Sequence, residues 1–214
     1  MLDKFQCEYL LYFYGAVFLP KKICIVTEYA QYGSLSSLKK TLKIIPRLKL
    51  RIKISCDAAK SIEYLHSNGV LHRDIKPDNY LVISLDNDVN VNCKLTDFGS
   101  SRNINMLTTN LTFTKGIGTP KYMAPEVINK QYYTKPADVY AFGIMMYETI
   151  GWTECFPKEK YRFPWQIAES IINGERPPQL SCFTASQYKL IEQCWCTNQL
   201  ERLKMEDVVS FFRY

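Results

Sequence analysis

The stretch His72-Arg73-Asp74-Ile75-Lys76-Pro77-Asp78-Asn79, with Asp97-Phe98-Gly99 downstream, decides how this chain reads. Together the two segments carry three carboxylates, a guanidinium, an ammonium and an amide. A hard divalent cation such as Mg²⁺ takes oxygen ligands and draws several of them from substrate phosphates, so one or two protein side chains suffice. Asn79 and Asp97 suit that role. Asp74 suits another, orienting an attacking hydroxyl or accepting its proton. Lys76, a mobile point charge, suits a migrating phosphoryl group. Any one of these aspartates taken alone reads equally well as a turn former or helix cap.

The combination is more specific. His72 to Asn79, Asp97-Phe98-Gly99 and Ala124-Pro125-Glu126 occur in the order H-R-D-L-x-x-x-N, D-F-G, A-P-E, with Ile75 in place of leucine. On these motifs the chain resembles the protein kinase family over nearly its whole length. The resemblance implies an α+β, protein-kinase-like fold: a mostly helical C-terminal lobe over residues 31–214, plus a remnant of the N-terminal β lobe over residues 1–30. The catalytic loop would be 72–79 and the activation segment 97–126. It also implies ATP and Mg²⁺ as cofactors, with Asn79 and Asp97 on the metal. Asp74, Lys76, Asn79 and Thr119 would be catalytic, and Glu28, Ala30, Leu81 and Asp97 would hold the nucleotide. Glu28-Tyr29-Ala30 resembles the hinge under the adenine, where Glu28 and Ala30 act through backbone groups and not side chains. Thr27 reads either as the small residue behind the adenine or as a β-branched residue closing a strand. Arg202 resembles the family's partner for the Glu126 carboxylate. Asp138 resembles the carboxylate that accepts backbone N–H bonds from the catalytic loop.

Lys76, placed two residues after Asp74, together with Thr119, resembles serine/threonine kinases. Cys194-Trp195 before Arg202 resembles the tyrosine-kinase-like branch. The implied activity is γ-phosphoryl transfer from ATP to serine or threonine of protein substrates in signalling. Two other readings stay open: transfer to tyrosine, and an inactive fragment or pseudokinase serving as an interaction module. The second arises because no G-x-G-x-x-G and no V-A-I-K occur in the 214 residues. Lys22 follows Pro20-Lys21 and reads as a water-facing turn. Met1 to Phe5 resembles the end of the helix that normally carries the partner glutamate, so the chain reads as cut inside its small lobe.

Composition bounds the remaining possibilities. With 47% apolar and 22% charged residues the chain is globular and not disordered. Its net charge of +6 is too moderate to demand a nucleic acid partner, and none is expected. Lys39, Lys40, Lys43, Arg47, Lys49, Arg51 and Lys53 form a basic run, either a solvated face or a docking surface for acidic partners or anionic lipid. The eight cysteines include no C-x-x-C, and free thiols in a reducing cytoplasm are expected, in a cytoplasmic protein or the cytoplasmic domain of a longer one. Tyr9 to Leu19 is too short for a membrane span and reads as a buried strand.

Local patterns give the elements. Phe13 to Phe18 and Ile23 to Thr27 read as strands joined by a turn. Leu50, Ile54, Ala58, Ile62 and Leu65 form a helical stripe despite the period-two alternation of 48–54; Asn68-Gly69 ends it, with His66 as a structural residue. Leu81 to Ile83 and Val91 to Thr96 read as a hairpin that draws Asn79 and Asp97 together. Asp138 to Ile150 is apolar all round and reads as a buried helix; further helices are expected around 187–196 and 206–212. Ser100 to Lys115 is polar and holds Thr108, Thr109, Thr112 and Thr114. Either a regulatory kinase phosphorylates it, with Arg73 receiving the phosphate, or it is an ordinary loop.

Overall fold

A computed structural model describes residues 6–104 and 120–213. Met1 to Phe5, Thr119 and all four of the loop threonines lie outside the described residues.

The chain opens with an antiparallel hairpin, β1 (Phe13–Leu19) and β2 (Lys22–Thr27). After the short helix α1 (Leu35–Thr41) comes the long helix α2 (Leu48–Ser67). Two small antiparallel pairs follow: β3 (Val70–Leu71) with β6 (Arg102–Asn103), and β4 (Tyr80–Val82) with β5 (Cys93–Leu95). The rest is helical: α3 (Pro125–Ile128), α4 (Lys135–Gly151), α5 (Pro164–Ile172), α6 (Ala185–Cys194) and α7 (Met205–Phe211).

Helix α4 is the axis of the core. Tyr140, Phe142, Ile144, Met145 and Met146 are all fully buried, so no face of it meets water. Pro136 sits in its first turn, where the missing N–H has no intrahelical partner to lose. The stripe Leu50, Ile54, Ala58, Ile62 and Leu65 on α2 is buried, and α2 packs along α4 and α7. Helical period thus overrides the strand-like alternation of 48–54. Gly69, at φ +69°, turns the chain out of α2. Helix α6 approaches α4 so closely at Gly143 that a Cβ there would lie 2.8 Å from that of Cys194.

One expectation fails. The Tyr9 to Leu19 run is not a buried strand: Phe18 is 77% exposed, and across the hairpin Ile23 and Ile25 are 65% and 63% exposed. An apolar strand is buried only if another layer covers it. Among the described residues only Leu10 and Leu11, which dock on β5 before β1 begins, find such cover. Helices α1, α3 and α5 were not anticipated; α1 is capped by the Ser34 hydroxyl accepting the Ser37 N–H at 3.1 Å.

Candidate active site

The catalytic-loop candidates sit on a scaffold centred on Asp138, in the first turn of α4. Its fully buried carboxylate accepts the backbone N–H groups of His72 (3.0 Å) and Arg73 (2.9 Å) and the hydroxyl of Tyr133 (2.7 Å). His66 Nε2 lies 3.0 Å away and completes the set. Burial alone would raise this carboxyl's pKa; the His66 bond and the other donors outweigh it and hold it below the usual range. Arg73 is held at φ +72°, a strained conformation for a side-chain-bearing residue, and its bonded N–H is part of what keeps it there.

His72 is fully buried. Its Nε2 lies 3.0 Å from the Thr96 carbonyl and its ring meets Phe98 edge-on at 5.4 Å. Burial pushes the imidazole's pKa down, which leaves the ring neutral. His72 is therefore a strut between the catalytic loop and the Asp97 segment.

Asp74, Lys76 and Asn79 form one cluster. Asp74 Oδ2 accepts from Lys76 Nζ (2.6 Å) and from Asn79 Nδ2 (3.0 Å), and Nδ2 also reaches the Asp74 carbonyl at 2.7 Å. Two acceptors face Nδ2, which fixes the orientation of the amide. Asn79 Oδ1 and Asp74 Oδ1 are left without a protein donor among the described residues. Buried Ile75 and Pro77 pin the loop from below.

The β4–β5 hairpin brings Asp97 to this cluster. Tyr80 pairs with Leu95, and the Thr96 N–H donates to the Asn79 carbonyl at 2.9 Å, one residue before Asp97. Asp97 is exposed and left-handed, φ +61°; its Oδ1 accepts the Gly99 N–H at 3.3 Å. A Cβ at Gly99 would sit 3.2 Å from that oxygen, so glycine gives the carboxylate room. Two hard oxygen donors, from Asn79 and Asp97, suit a divalent cation that completes its shell with phosphate and water. The described residues hold no cluster of three His, Cys, Asp or Glu that would form an all-protein cage.

The other end of β4 carries the nucleotide candidates. The segment after β2 lies along β4, with Tyr32 N–H donating to the Val82 carbonyl (3.3 Å) and Val82 N–H to that of Gly33 (2.8 Å). Leu81 bridges to Ser34 there. The Ala30 carbonyl is taken by the Gly33 N–H, and its own N–H has no partner among the described residues. Glu28 corrects the backbone-only expectation. Its N–H goes to the Tyr12 carbonyl, while its carboxylate accepts the Tyr12 N–H at 2.6 Å and Lys94 Nζ at 2.7 and 2.9 Å. The half-buried pair with Lys94 ties this segment to β5. Thr27 closes β2 in an exposed position.

Glu126 and Arg202 meet in a buried two-pronged pair, at 2.6 and 2.7 Å. The same guanidinium caps the carbonyls of Pro136, Cys196 and Thr197. Sequence reasoning missed Glu148. This buried carboxylate of α4 binds Tyr122 Oη (2.8 Å), Lys121 Nζ (2.7 Å) and the Cys155 N–H (2.9 Å), anchoring the segment that precedes Ala124. The signal was available: an acidic residue inside an otherwise apolar helix needs partners.

With this geometry in place, the comparisons with known proteins fall into line. A family model described as "Protein kinase domain" matches residues 1–211. The chain belongs to the protein kinase family. It is 36% identical over 97% of its length to serine/threonine-protein kinase/receptor R818 of Acanthamoeba polyphaga mimivirus, covering 12% of that protein. It is 34% identical to the dual specificity protein kinase shkC of Dictyostelium discoideum, over 98% of this chain and 41% of that one. It is also 34% identical to the serine/threonine/tyrosine-protein kinase HT1 of Arabidopsis thaliana, over 94% and 49% respectively. The chain thus spans less than half the length of each of these relatives. No helix among the described residues is long and apolar enough to cross a membrane.

Proposed function

We propose that this kinase domain transfers the γ-phosphoryl group of ATP, with Mg²⁺, to serine and threonine hydroxyls of protein substrates in a signalling pathway. The observation that carries the reading is the hydrogen-bonded cluster of Asp74, Lys76 and Asn79. Lys76 and Asn79 both occupy Asp74 Oδ2, which leaves Oδ1 for the incoming hydroxyl. Phosphoryl transfer depends mainly on positioning and charge neutralisation. Asp74 orients the alcohol and takes its proton. Lys76, held beside it, meets the migrating phosphoryl. Asn79 Oδ1 and the Asp97 carboxylate would hold the magnesium, which supplies charge neutralisation on the phosphate oxygens when bound. Ala30 N–H and the Glu28 carbonyl would meet the adenine edge, with Leu81 beneath it. Residues up to 30 would belong to the small lobe and 31–214 to the large one. Thr119 falls in the stretch Gly118 to Met123, which resembles the segment that receives the substrate peptide, and it would support the hydroxyl's placement.

Lys76 and the serine/threonine names of the relatives favour serine and threonine as acceptors. The words "dual specificity" and "serine/threonine/tyrosine" in two of those names keep tyrosine as a second acceptor. Phosphoamino-acid analysis after labelling with γ-³²P-ATP tests the assignment. Phosphoserine and phosphothreonine are expected, reduced ~10²–10⁴-fold in Asp74→Asn. Phosphotyrosine alone, or an Asp74→Asn variant as active as the parent, would overturn it.

A further inference from the structure

The basic run between α1 and α2 divides into two sets. Lys39 Nζ donates to the carbonyls of Glu148 and Thr153 at 3.0 and 2.9 Å. Arg51 reaches the carbonyl of Ile150, and Lys53 those of Asn87 and Val89. These three cations tie α1 and α2 to the end of α4 and to the β4–β5 turn. Lys40, Lys43, Arg47 and Lys49 are exposed and have no partner among the described residues. No Asp or Glu occurs between Glu28 and Asp57 in the sequence, and the nearest acids of the β4–β5 turn, Asp86 and Asp88, flank Asn87 across an adjoining groove.

Beside this second set lies a groove of about 360 Å³. Leu42, Leu50 and Leu85 give it an apolar lining, and the β4–β5 turn at Asn87 forms its far wall. Ile44 and Ile45 stand at its edge, 82% and 59% exposed. A merely solvated charged face accounts for the lysines but not for two adjacent isoleucines beside a recessed apolar lining. The first turn of α2 adds to the positive field, since it carries no acidic residue and Arg47 makes no side-chain cap bond.

We propose that this groove docks a short acidic segment of a partner protein, with bulky apolar side chains between Ile44, Ile45 and Leu85 and carboxylates over Lys40, Lys43, Arg47 and Lys49. Charge complementarity selects the sign of the partner, and the apolar groove selects its shape. A flat anionic bilayer fits less well. The exposed Asp86 and Asp88 flank Asn87 on the far wall, where a membrane would meet them and a narrow peptide need not. A nucleic acid strand would find aliphatic side chains here in place of the aromatic platforms on which bases stack. The groove is separate from the Asp74 cluster, so the proposal does not depend on the acceptor residue.

The test is fluorescence anisotropy with a fluorescein-labelled peptide of four glutamates followed by Leu-Ser-Leu. Saturable binding is expected, weakening as NaCl is raised. The double change Ile44→Ser, Ile45→Ser leaves the charge unaltered and should weaken binding ~10-fold. Lys43→Glu with Arg47→Glu should weaken it by at least ~10-fold. Lys189→Glu, on exposed α6 surface, should change nothing. Unaltered thermal melting of each variant would show that the fold is intact. Absence of binding, or binding indifferent to the isoleucine changes, would overturn the proposal. So would association with phosphatidylserine vesicles that the same variants abolish while the peptide fails to bind.

Discussion

Replacing Asp138 by asparagine tests the scaffold of the catalytic loop with almost no change in volume. The carboxylate receives only donors: two from the backbone of His72 and Arg73, one from Tyr133 and one from His66. An amide can offer an oxygen to one pair, but its NH₂ must then face the other. Two hydrogen bonds to a charged acceptor are lost, each contributing about 1.5–3 kcal/mol. The donors stranded in a fully buried site have no water to turn to. The expected loss is about 3–5 kcal/mol, in the range for breaking a buried ionic network. For a chain of this length that lowers Tm by roughly 10–15 °C. Urea denaturation followed by circular dichroism gives the free energy, and hydrogen exchange at the His72 and Arg73 amides gives the location. His72 N–H binds one carboxylate oxygen and Arg73 N–H the other, so at least the amide left facing the NH₂ should lose protection beyond the global change. A variant within about 1 kcal/mol of the parent, with both amides still protected, would refute the reasoning.

Two further outcomes follow from buried charge. Glu126→Gln leaves the Arg202 guanidinium buried without its counter-ion and should cost about 3–5 kcal/mol in the same denaturation assay, with Arg202→Met in the same background recovering part of it; a cost below about 1 kcal/mol would contradict the pairing. Asp57 is buried beneath the β4–β5 hairpin, where it accepts the Asn92 and Cys93 N–H groups, and burial pushes its pKa up to about 6 despite those bonds. Between its unfolded value near 4 and about 6 the folded chain holds a proton that the unfolded chain releases, so this contribution to stability is full below pH 4 and lost as pH rises through 6. That amounts to about 3 kcal/mol. Asp57→Asn cannot titrate, so the stability of the parent relative to it should fall by that amount from pH 4 to pH 7; a pH-independent difference would show that the carboxyl is not perturbed.

The motifs made the catalytic loop, the Asp97 segment and the Glu126–Arg202 pair legible, because each depends on residue type at fixed spacing. Helix α2 was legible because its stripe runs for about four turns, longer than the local alternation that competes with it. The exposure of β1 and β2 was not, since burial is set by what lies over a strand and not by the strand's own composition. The double duty of Glu28 was hidden because Lys94 is far away in sequence. Short α5 went unseen although Pro164 at its start, with Gln166 accepting the Phe163 N–H, is a helix-entry signal. The division of the basic run into bonded and free cations needed coordinates, since the carbonyls that receive Lys39, Arg51 and Lys53 come from the end of α4 and from the β4–β5 turn, both remote in sequence.

The claim on which the functional reading turns is that Asn79 and Asp97 share one divalent ion. Paramagnetic broadening by Mn²⁺ in the presence of an ATP analogue, read on ¹⁵N-labelled protein, addresses it directly. The account predicts that the Asn79 side-chain amide and the Asp97 backbone signal broaden together at the lowest Mn²⁺, and that Asp97→Asn abolishes both effects. Broadening that begins at the exposed Asp86 and Asp88 turn, or that reaches one of the two residues and spares the other, would contradict it.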